Sequence, residues 1–98
     1  MSAIMIAMTT INPNETDALN AYVEGVMPLI TAADGQMLSR YEHKKTLVGP
    51  DSSQYVMIVE YPSAEAITTL FESADYKKLT AVRDTAFTSY NISIYEQS

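Results

Sequence analysis

Hydrophobic and polar residues alternate along four short stretches of the chain. Residues 3–10 alternate and are rich in Ile and Met, which is typical of a buried strand. Residues 36–46, 54–61 and 89–97 have the same strand character. Gly-Pro-Asp-Ser at residues 49–52 marks a turn between the second and third of these stretches. The pattern predicts four strands, with a hairpin joining the second to the third.

A helical spacing of apolar residues separates the first two strands. Asn12 is a candidate helix cap, Pro13 fits the first helical position, and Glu15 lies three residues after the cap. Pro28 is expected to bend the helix, and Gly35 is expected to end it in a left-handed conformation. One stripe of the helix carries its apolar side chains: Leu19, Tyr22, Val23, Val26, Ile30 and Ala33.

A second helical region follows the third strand. Ser63, directly after Pro62, is expected to cap a helix that runs to Glu72, and Ser73 to cap a further helix that runs to about residue 87. The predicted order is therefore strand, helix, strand, strand, helix, strand. This order is the α+β, ferredoxin-like βαββαβ arrangement, with a four-stranded antiparallel sheet and the helices on one face. It occupies the whole chain, residues 1–98, as a single domain.

The third strand carries apolar side chains on both faces. One face holds Tyr55, Met57, Val59 and Tyr61, and the other holds Val56, Ile58 and Glu60. Since the helices cover one face only, the second apolar face needs another cover. A homodimer that packs sheet against sheet is the simplest one. The alternative is a central strand that is shielded by loops, and the sequence does not say which face is the interface.

The composition and net charge of the chain limit which kinds of molecule it is expected to bind. The 98 residues hold 47% hydrophobic and 18% charged residues, no Cys, and a net charge of −6. An ordinary globular domain fits these values, whereas a nucleic-acid partner does not, because phosphate binding needs clustered Lys and Arg. The apolar start of the chain is too short to span a membrane and has no basic flank. The sequence is interpreted as a cytoplasmic protein.

The two arginines suggest a charged site. If Thr46 pairs with Gln54 in the hairpin, Arg40 lies opposite Glu60, where the two side chains can meet. An odd shift of the register would put them on opposite faces. Arg83 shares a helical stripe with Tyr76. A pocket between helix and sheet that holds these four residues is a candidate site for an anionic or enolisable metabolite. A purely structural ion-pair cluster is the alternative.

His43 is the only histidine in the chain. In the same register it shares a face with Met37, Tyr41 and Met57, where it is an interface residue or a pocket residue. A lone His without Cys does not build a zinc site within one chain, although carboxylates on a dimer axis could assist it, and no metal is expected. No phosphate loop, dinucleotide fingerprint or nucleophile elbow is present either, and no cofactor is expected.

The run "VEYPSAEAITTLFESADYKKLTAVRDTAF" resembles the DUF1330 family. The resemblance rests on the strand end and cap at residues 60–63, on Ser73 and Tyr76, and on Leu79 and Arg83. Upstream, residues 29–42 resemble the helix end and second strand of the family, with Gly35 and Arg40 in matching places. Two departures are visible: Asp34 stands in place of the first of two glycines, and Tyr41 in place of a glycine after Arg40.

The resemblance implies a dimeric α/β-barrel, in which two ferredoxin-like units pack sheet to sheet. Cofactor-free monooxygenases, muconolactone isomerases and heme-handling enzymes share that architecture, so the fold does not identify an activity. One hypothesis is an enzyme without cofactor, in which Glu60 is the acid or base, Arg40 and Arg83 hold an anion or enolate, and Tyr76 donates a hydrogen bond. The other is a dimeric ligand-binding module without turnover.

Overall fold

One antiparallel sheet of four strands carries the helices on a single face, in a computed structural model that describes residues 2–97. The strands lie in the order β2-β3-β1-β4, and every neighbouring pair is antiparallel. This confirms the predicted ferredoxin-like fold. The elements in chain order are β1 (Ala3–Ile11), α1 (Thr16–Ala32), β2 (Gln36–Glu42), β3 (Tyr55–Tyr61), α2 (Ala64–Glu72), α3 (Ala74–Lys77), α4 (Thr80–Ala86) and β4 (Phe87–Tyr95).

The core lies between the helices and one face of the sheet, which we call the helix-facing face. In β1 every second side chain is buried there, and in β3 Val59 and Tyr61 are buried on the same side. The intervening positions point to the other face, which no element of residues 2–97 covers and which we call the open face. Its large side chains are Ile4, Ile6, Met8, Tyr41, Val56, Ile58 and Tyr95.

The predicted hairpin between β2 and β3 is confirmed, but its predicted register is wrong. Arg40 pairs with Met57, three residues away from the expected partner Glu60. The strand β2 ends at Glu42, before Thr46, and its pairing shifts between Met37 and Ser39, where Leu38 forms a bulge. Because the displacement is an odd number of residues, Arg40 lies on the helix-facing face and Glu60 on the open face.

The start and end of α1 differ from the prediction. The side chain of Asn12 accepts a hydrogen bond from Asn14 N at 3.1 Å, which forms a local turn, and the helix begins four residues later with Glu15 as its cap. Pro28 lies inside the continuous helix. At the far end Asp34 has the left-handed conformation, with φ 61°. Gly35 is required for space instead: a Cβ there would lie 2.8 Å from side-chain atoms of Ile30 and Tyr61.

Two serines divide the second helical region as predicted. The Ser63 hydroxyl accepts a hydrogen bond from Ala66 N at 3.1 Å and begins α2. The Ser73 hydroxyl donates to Leu70 O at 2.7 Å and accepts from Tyr76 N at 3.1 Å, so that one side chain ends α2 and begins α3. The predicted last helix is divided into α3 and α4, and β4 begins two residues earlier than expected.

The chain forms a flat, two-layered body that measures 34 × 34 × 17 Å. Within residues 2–97, no helix has the length and apolar character needed to cross a membrane.

Candidate functional site

Three tyrosine hydroxyls meet between α1, α3 and β4. The Tyr22 hydroxyl lies 3.0 Å from the Tyr76 hydroxyl and also forms a hydrogen bond with the Tyr90 hydroxyl. The ring of Tyr22 packs edge-on against both other rings, with centroid distances of 6.3 and 5.7 Å. Tyr22 belongs to the buried stripe of α1, and Tyr76 is held by the helix cap at Ser73. Tyr90 points towards the helices because side chains alternate between the two faces of β4. We call these three residues the tyrosine cluster.

Arg83 from α4 joins the tyrosine cluster at one end. Its Nη1 donates to the Tyr76 hydroxyl at 3.2 Å, and its guanidinium carbon lies 5.3 Å from the ring centre of Tyr90. The other edge of the guanidinium forms an ion pair with Asp84 at 3.1 Å, whose side chain is largely exposed. The structure thus brings Arg83 and Tyr76 together, as their helical spacing predicts. The expected carboxylate partner Glu60 is replaced by the adjacent Asp84.

Two phenols of the tyrosine cluster, Tyr22 and Tyr90, keep their protons at neutral pH. Burial, with further contributions from Tyr90 and Tyr76, raises the pKa of Tyr22 far above its ordinary value. Burial also raises the pKa of Tyr90, despite the nearby Arg83. For Arg83, burial alone would lower the pKa, but the contacts with Tyr76 and Asp84 outweigh it and raise the pKa. The arrangement is therefore a cation that donates to Tyr76, next to two protonated phenols, Tyr22 and Tyr90.

A cavity of about 310 Å³, which we call the cleft, separates α1 from the helix-facing face of the sheet. Small side chains at Ala7 and Thr9 form part of its floor, and Tyr22 and Tyr90 form part of its wall. Much of the remaining lining is apolar: Met5, Leu19, Val23, Val26, Met27, Ile30, Met37, Met57, Val59, Phe71 and Phe87. Such a cleft favours a small apolar ligand with few polar groups.

Arg40 is the one charged residue that lines the cleft, within residues 2–97. Its guanidinium carbon lies 4.3 Å above the ring centre of Tyr55, and its side chain is exposed. The ion pairs within residues 2–97 are Asp75 with Lys78 and Arg83 with Asp84, so Arg40 is in none of them. Its charge is available to a bound anion.

A second depression lies on the other side of the tyrosine cluster. This groove of about 610 Å³ runs between β4 and the helices α2 to α4, and Tyr76 and Arg83 line it. Phe71, Phe87 and Tyr90 line both the groove and the cleft. The tyrosine cluster therefore stands at the wall between an apolar cleft and a more polar groove.

The predicted pocket with four functional residues is not formed. Arg83 and Tyr76 are together and Arg40 lines the neighbouring cleft, but Glu60 lies on the open face in a shallow depression with Ser2, Asp34 and Gln36. The cause is the odd register shift in the hairpin. The catalytic roles predicted for these residues stay predictions.

His43 lies outside both depressions. Its backbone N donates to Gln54 O at 2.7 Å, and its Nε2 lies 2.9 Å from the Thr46 hydroxyl, in the exposed loop after β2. The predicted shared face with Met57 is wrong, because Tyr41 and Met57 point to opposite faces. Its predicted place at an interface stays a prediction. Within residues 2–97, no group of three or more His, Cys, Asp or Glu side chains is placed to hold a metal ion.

Sequence reasoning missed Tyr22 and Tyr90 as site residues. Helical spacing predicts Tyr22 only as part of the apolar stripe of α1, and alternation predicts Tyr90 only as part of the last strand, and both lie there. The available signal was the excess of seven tyrosines over two phenylalanines. The hydroxyl of a buried tyrosine needs a hydrogen-bond partner. In this fold the Tyr22 hydroxyl has two, the hydroxyls of Tyr76 and Tyr90.

The sequence pattern of a protein family described as "Domain of unknown function (DUF1330)" matches residues 2–97 of the chain. The chain belongs to the DUF1330 family. This confirms the family that the residues around Glu60 and Arg83 indicate. No curated protein sequence matches the chain at a significant level.

Solved structures with low sequence identity share the fold. A protein of unknown function from Rhodopseudomonas palustris is 19% identical and superposes with a TM-score of 0.81. The match covers 99% of this chain and 82% of the Rhodopseudomonas palustris chain. A protein from Bacteroides fragilis, described as dimeric and ferredoxin-like, is 8% identical over 98% of this chain and 96% of its own, with a TM-score of 0.62. SnoaB, a cofactor-independent oxygenase from Streptomyces nogalater, is 6% identical over 99% of this chain and 93% of its own, with a TM-score of 0.65.

Proposed function

We propose that the chain is a homodimeric protein that binds a small, mostly apolar molecule with an anionic or enolisable oxygen in the cleft. The observation that carries the proposal is an apolar cavity of about 310 Å³ with a single guanidinium, that of Arg40, in its lining. This volume is at the lower end of ligand pockets, which hold roughly 300–1,000 Å³. The ligand is therefore expected to be about the size of one or two fused rings.

The charge of the protein makes Arg40 the deciding group for an anionic ligand. With a net charge of −6, the chain as a whole repels anions. An anion that binds in the cleft must therefore be held by a local cation, and Arg40 supplies one that no carboxylate of residues 2–97 pairs with. Stacking on Tyr55 also limits the freedom of the guanidinium before a ligand arrives.

A second copy of the chain is the proposed cover of the open face. The exposed strand faces carry Ile, Met, Val and Tyr side chains, an association surface that a monomer would leave in water. Four strands at about 4.8 Å spacing and seven or more residues each give a face of roughly 20 by 25 Å, which is large enough for the core of a stable interface. The Bacteroides fragilis protein of the same fold is described as dimeric.

A cofactor-independent enzyme is the second candidate function. The tyrosine cluster and Arg83 stand beside the cleft, where neutral donors backed by a cation can stabilise an enolate. SnoaB, which has this fold, is described as a cofactor-independent oxygenase. Ligand binding comes first in the proposal because none of the described residues that line the cleft is Asp, Glu or His, so the chain offers no evident base there.

Binding of 2-naphthoate, followed by its own fluorescence, tests the proposal. We expect the Arg40→Gln variant to bind roughly tenfold more weakly, because a hydrogen-bonded charge pair is lost. Lys44→Gln is the matched control: it also removes one positive charge, but from the exposed loop after β2 and outside the cleft, and it is expected to leave the affinity unchanged. The neutral analogue 2-naphthalenemethanol should bind both variants alike. Failure of 2-naphthoate to bind the unaltered protein, or equal weakening in both variants, would contradict the proposal.

A further inference from the structure

The hydrogen bonds of the tyrosine cluster have a direction, which follows from counting protons. Arg83 has donors only, so the Tyr76 oxygen must accept from its Nη1. Each phenol has one proton to give. If Tyr76 gives its proton to Tyr22, and Tyr22 gives its own to Tyr90, every hydrogen bond of the cluster is formed. The proton of Tyr90 is then the one without an acceptor inside the cluster.

The opposite direction leaves a buried proton without a partner. If Tyr90 donates to Tyr22 and Tyr22 donates to Tyr76, the Tyr76 oxygen accepts twice and its own proton has no acceptor in the cluster. Tyr76 is only 2% exposed, so water does not replace the missing acceptor. If Tyr76 and Tyr90 both donate to Tyr22, the proton of the buried Tyr22 is the one left without an acceptor. An unsatisfied buried donor costs about 1–3 kcal/mol, which favours the direction that ends at Tyr90.

Tyr90 is placed to use its remaining proton outside the cluster. It is half-buried, and it lines both the cleft and the groove. Chains of hydrogen bonds polarise one another, so the last donor of a chain that starts at a cation is a stronger donor than an isolated phenol. The best acceptor for such a donor is an oxygen that carries negative charge.

From this geometry we infer that Tyr90 donates the hydrogen bond to the ligand oxygen, and that the preferred ligand is the conjugate base of a phenol or enol. The inference rests on the proposed function, since it assigns the chemistry of a ligand in the same cleft. Tyr90 is the contacting residue. Arg83 is a positioning residue, because it acts on the ligand through its hydrogen bond to Tyr76 and its contact with the Tyr90 ring.

Binding of 4-nitrophenol tests the inference, because its phenol and phenolate forms absorb at different wavelengths. The unaltered protein is expected to bind the phenolate more tightly, which lowers the apparent pKa of the bound probe. In Tyr90→Phe the ratio of phenolate to phenol affinity should fall roughly tenfold, the size expected for a hydrogen bond to a charged group. Tyr61→Phe, which removes a buried hydroxyl outside the cluster, is the matched control and should keep the ratio.

Arg83→Met is a second variant that leaves all three tyrosines in place. The affinity ratio should fall by a smaller factor, about threefold, because the donor remains and only its polarisation is lost. An unchanged ratio in Tyr90→Phe overturns the inference while the proposed function stands. If Tyr90→Phe does not fold, an unchanged ratio in Arg83→Met overturns it. If neither 4-nitrophenol nor 2-naphthoate binds the unaltered protein, the proposed function falls and the inference falls with it.

Discussion

The two faces of the sheet differ in the size of the side chains that β1 contributes. Towards the helices it presents mostly small residues, with Ala3, Ala7 and Thr9 among them, whereas towards the open face it presents Ile4 and Ile6. A strand that served only to fill a core would place its bulk under the helices. Here the small residues leave room for the cleft, and the larger side chains lie on the open face, which no element of residues 2–97 covers.

A charge on the helix-facing face should have the largest effect. Val59 is 2% exposed in the middle of the core, so Val59→Asp buries a carboxylate without a partner. We expect a loss of about 3 kcal/mol or more in the free energy of unfolding, and little folded protein as a result. Circular dichroism measures the folded fraction, and urea unfolding measures the free energy of unfolding. A folded Val59→Asp protein of ordinary stability would show that this face is not the core.

An aspartate at position 58, one residue before Val59, should instead dissociate the proposed dimer. Ile58 points to the open face, opposite Ile6 of the neighbouring strand. In Ile58→Asp, two copies would bring like charges together across the two-fold interface, which favours the monomer. Sedimentation should therefore give about 10.8 kDa for the variant and twice this mass for the unaltered protein. An unaltered protein that sediments as a monomer would remove the proposed role of the open face.

Alkaline pH should weaken the fold through the helix-facing tyrosines. Burial raises the pKa of Tyr61 from 10.0 to about 12. Between these values the unfolded chain loses the phenol proton and the folded chain keeps it, so stability present below pH 10 is lost as the pH rises, by up to about 1.4 kcal/mol per pH unit. Tyr61→Phe should reduce this slope in urea unfolding at fixed protein concentration. An unaltered slope in Tyr61→Phe would contradict the assignment.

The fold could be predicted from local signals that the structure retains. Alternation identified the strands, and Ser63 and Ser73 identified the start of α2 and α3, because a hydroxyl at a helix start satisfies a free backbone N–H. Helical spacing also brought Tyr76 and Arg83 together correctly. Each of these signals depends on residues that are close in the chain.

The register of the hairpin and the tyrosine cluster depend on distant residues. A bulge at Leu38 and a loop of residues 43–54 set the register, and neither has a strict sequence signature. For this reason the predicted pairing of Arg40 with Glu60 is wrong. The contact between Tyr22 and Tyr90 joins residues 68 positions apart. No spacing rule reaches that far, so the cluster becomes visible only once the layers are assembled.

The Ser73 hydroxyl limits which residues this position can accept during evolution. It donates to Leu70 O and accepts from Tyr76 N at the same time. A carboxylate can only accept, and an amide donates and accepts from two different atoms, whereas the single hydroxyl oxygen of Thr can do both as that of Ser does. We therefore expect only Ser and Thr at position 73 in related sequences. Any other residue would loosen the junction of α2 and α3, which positions Tyr76.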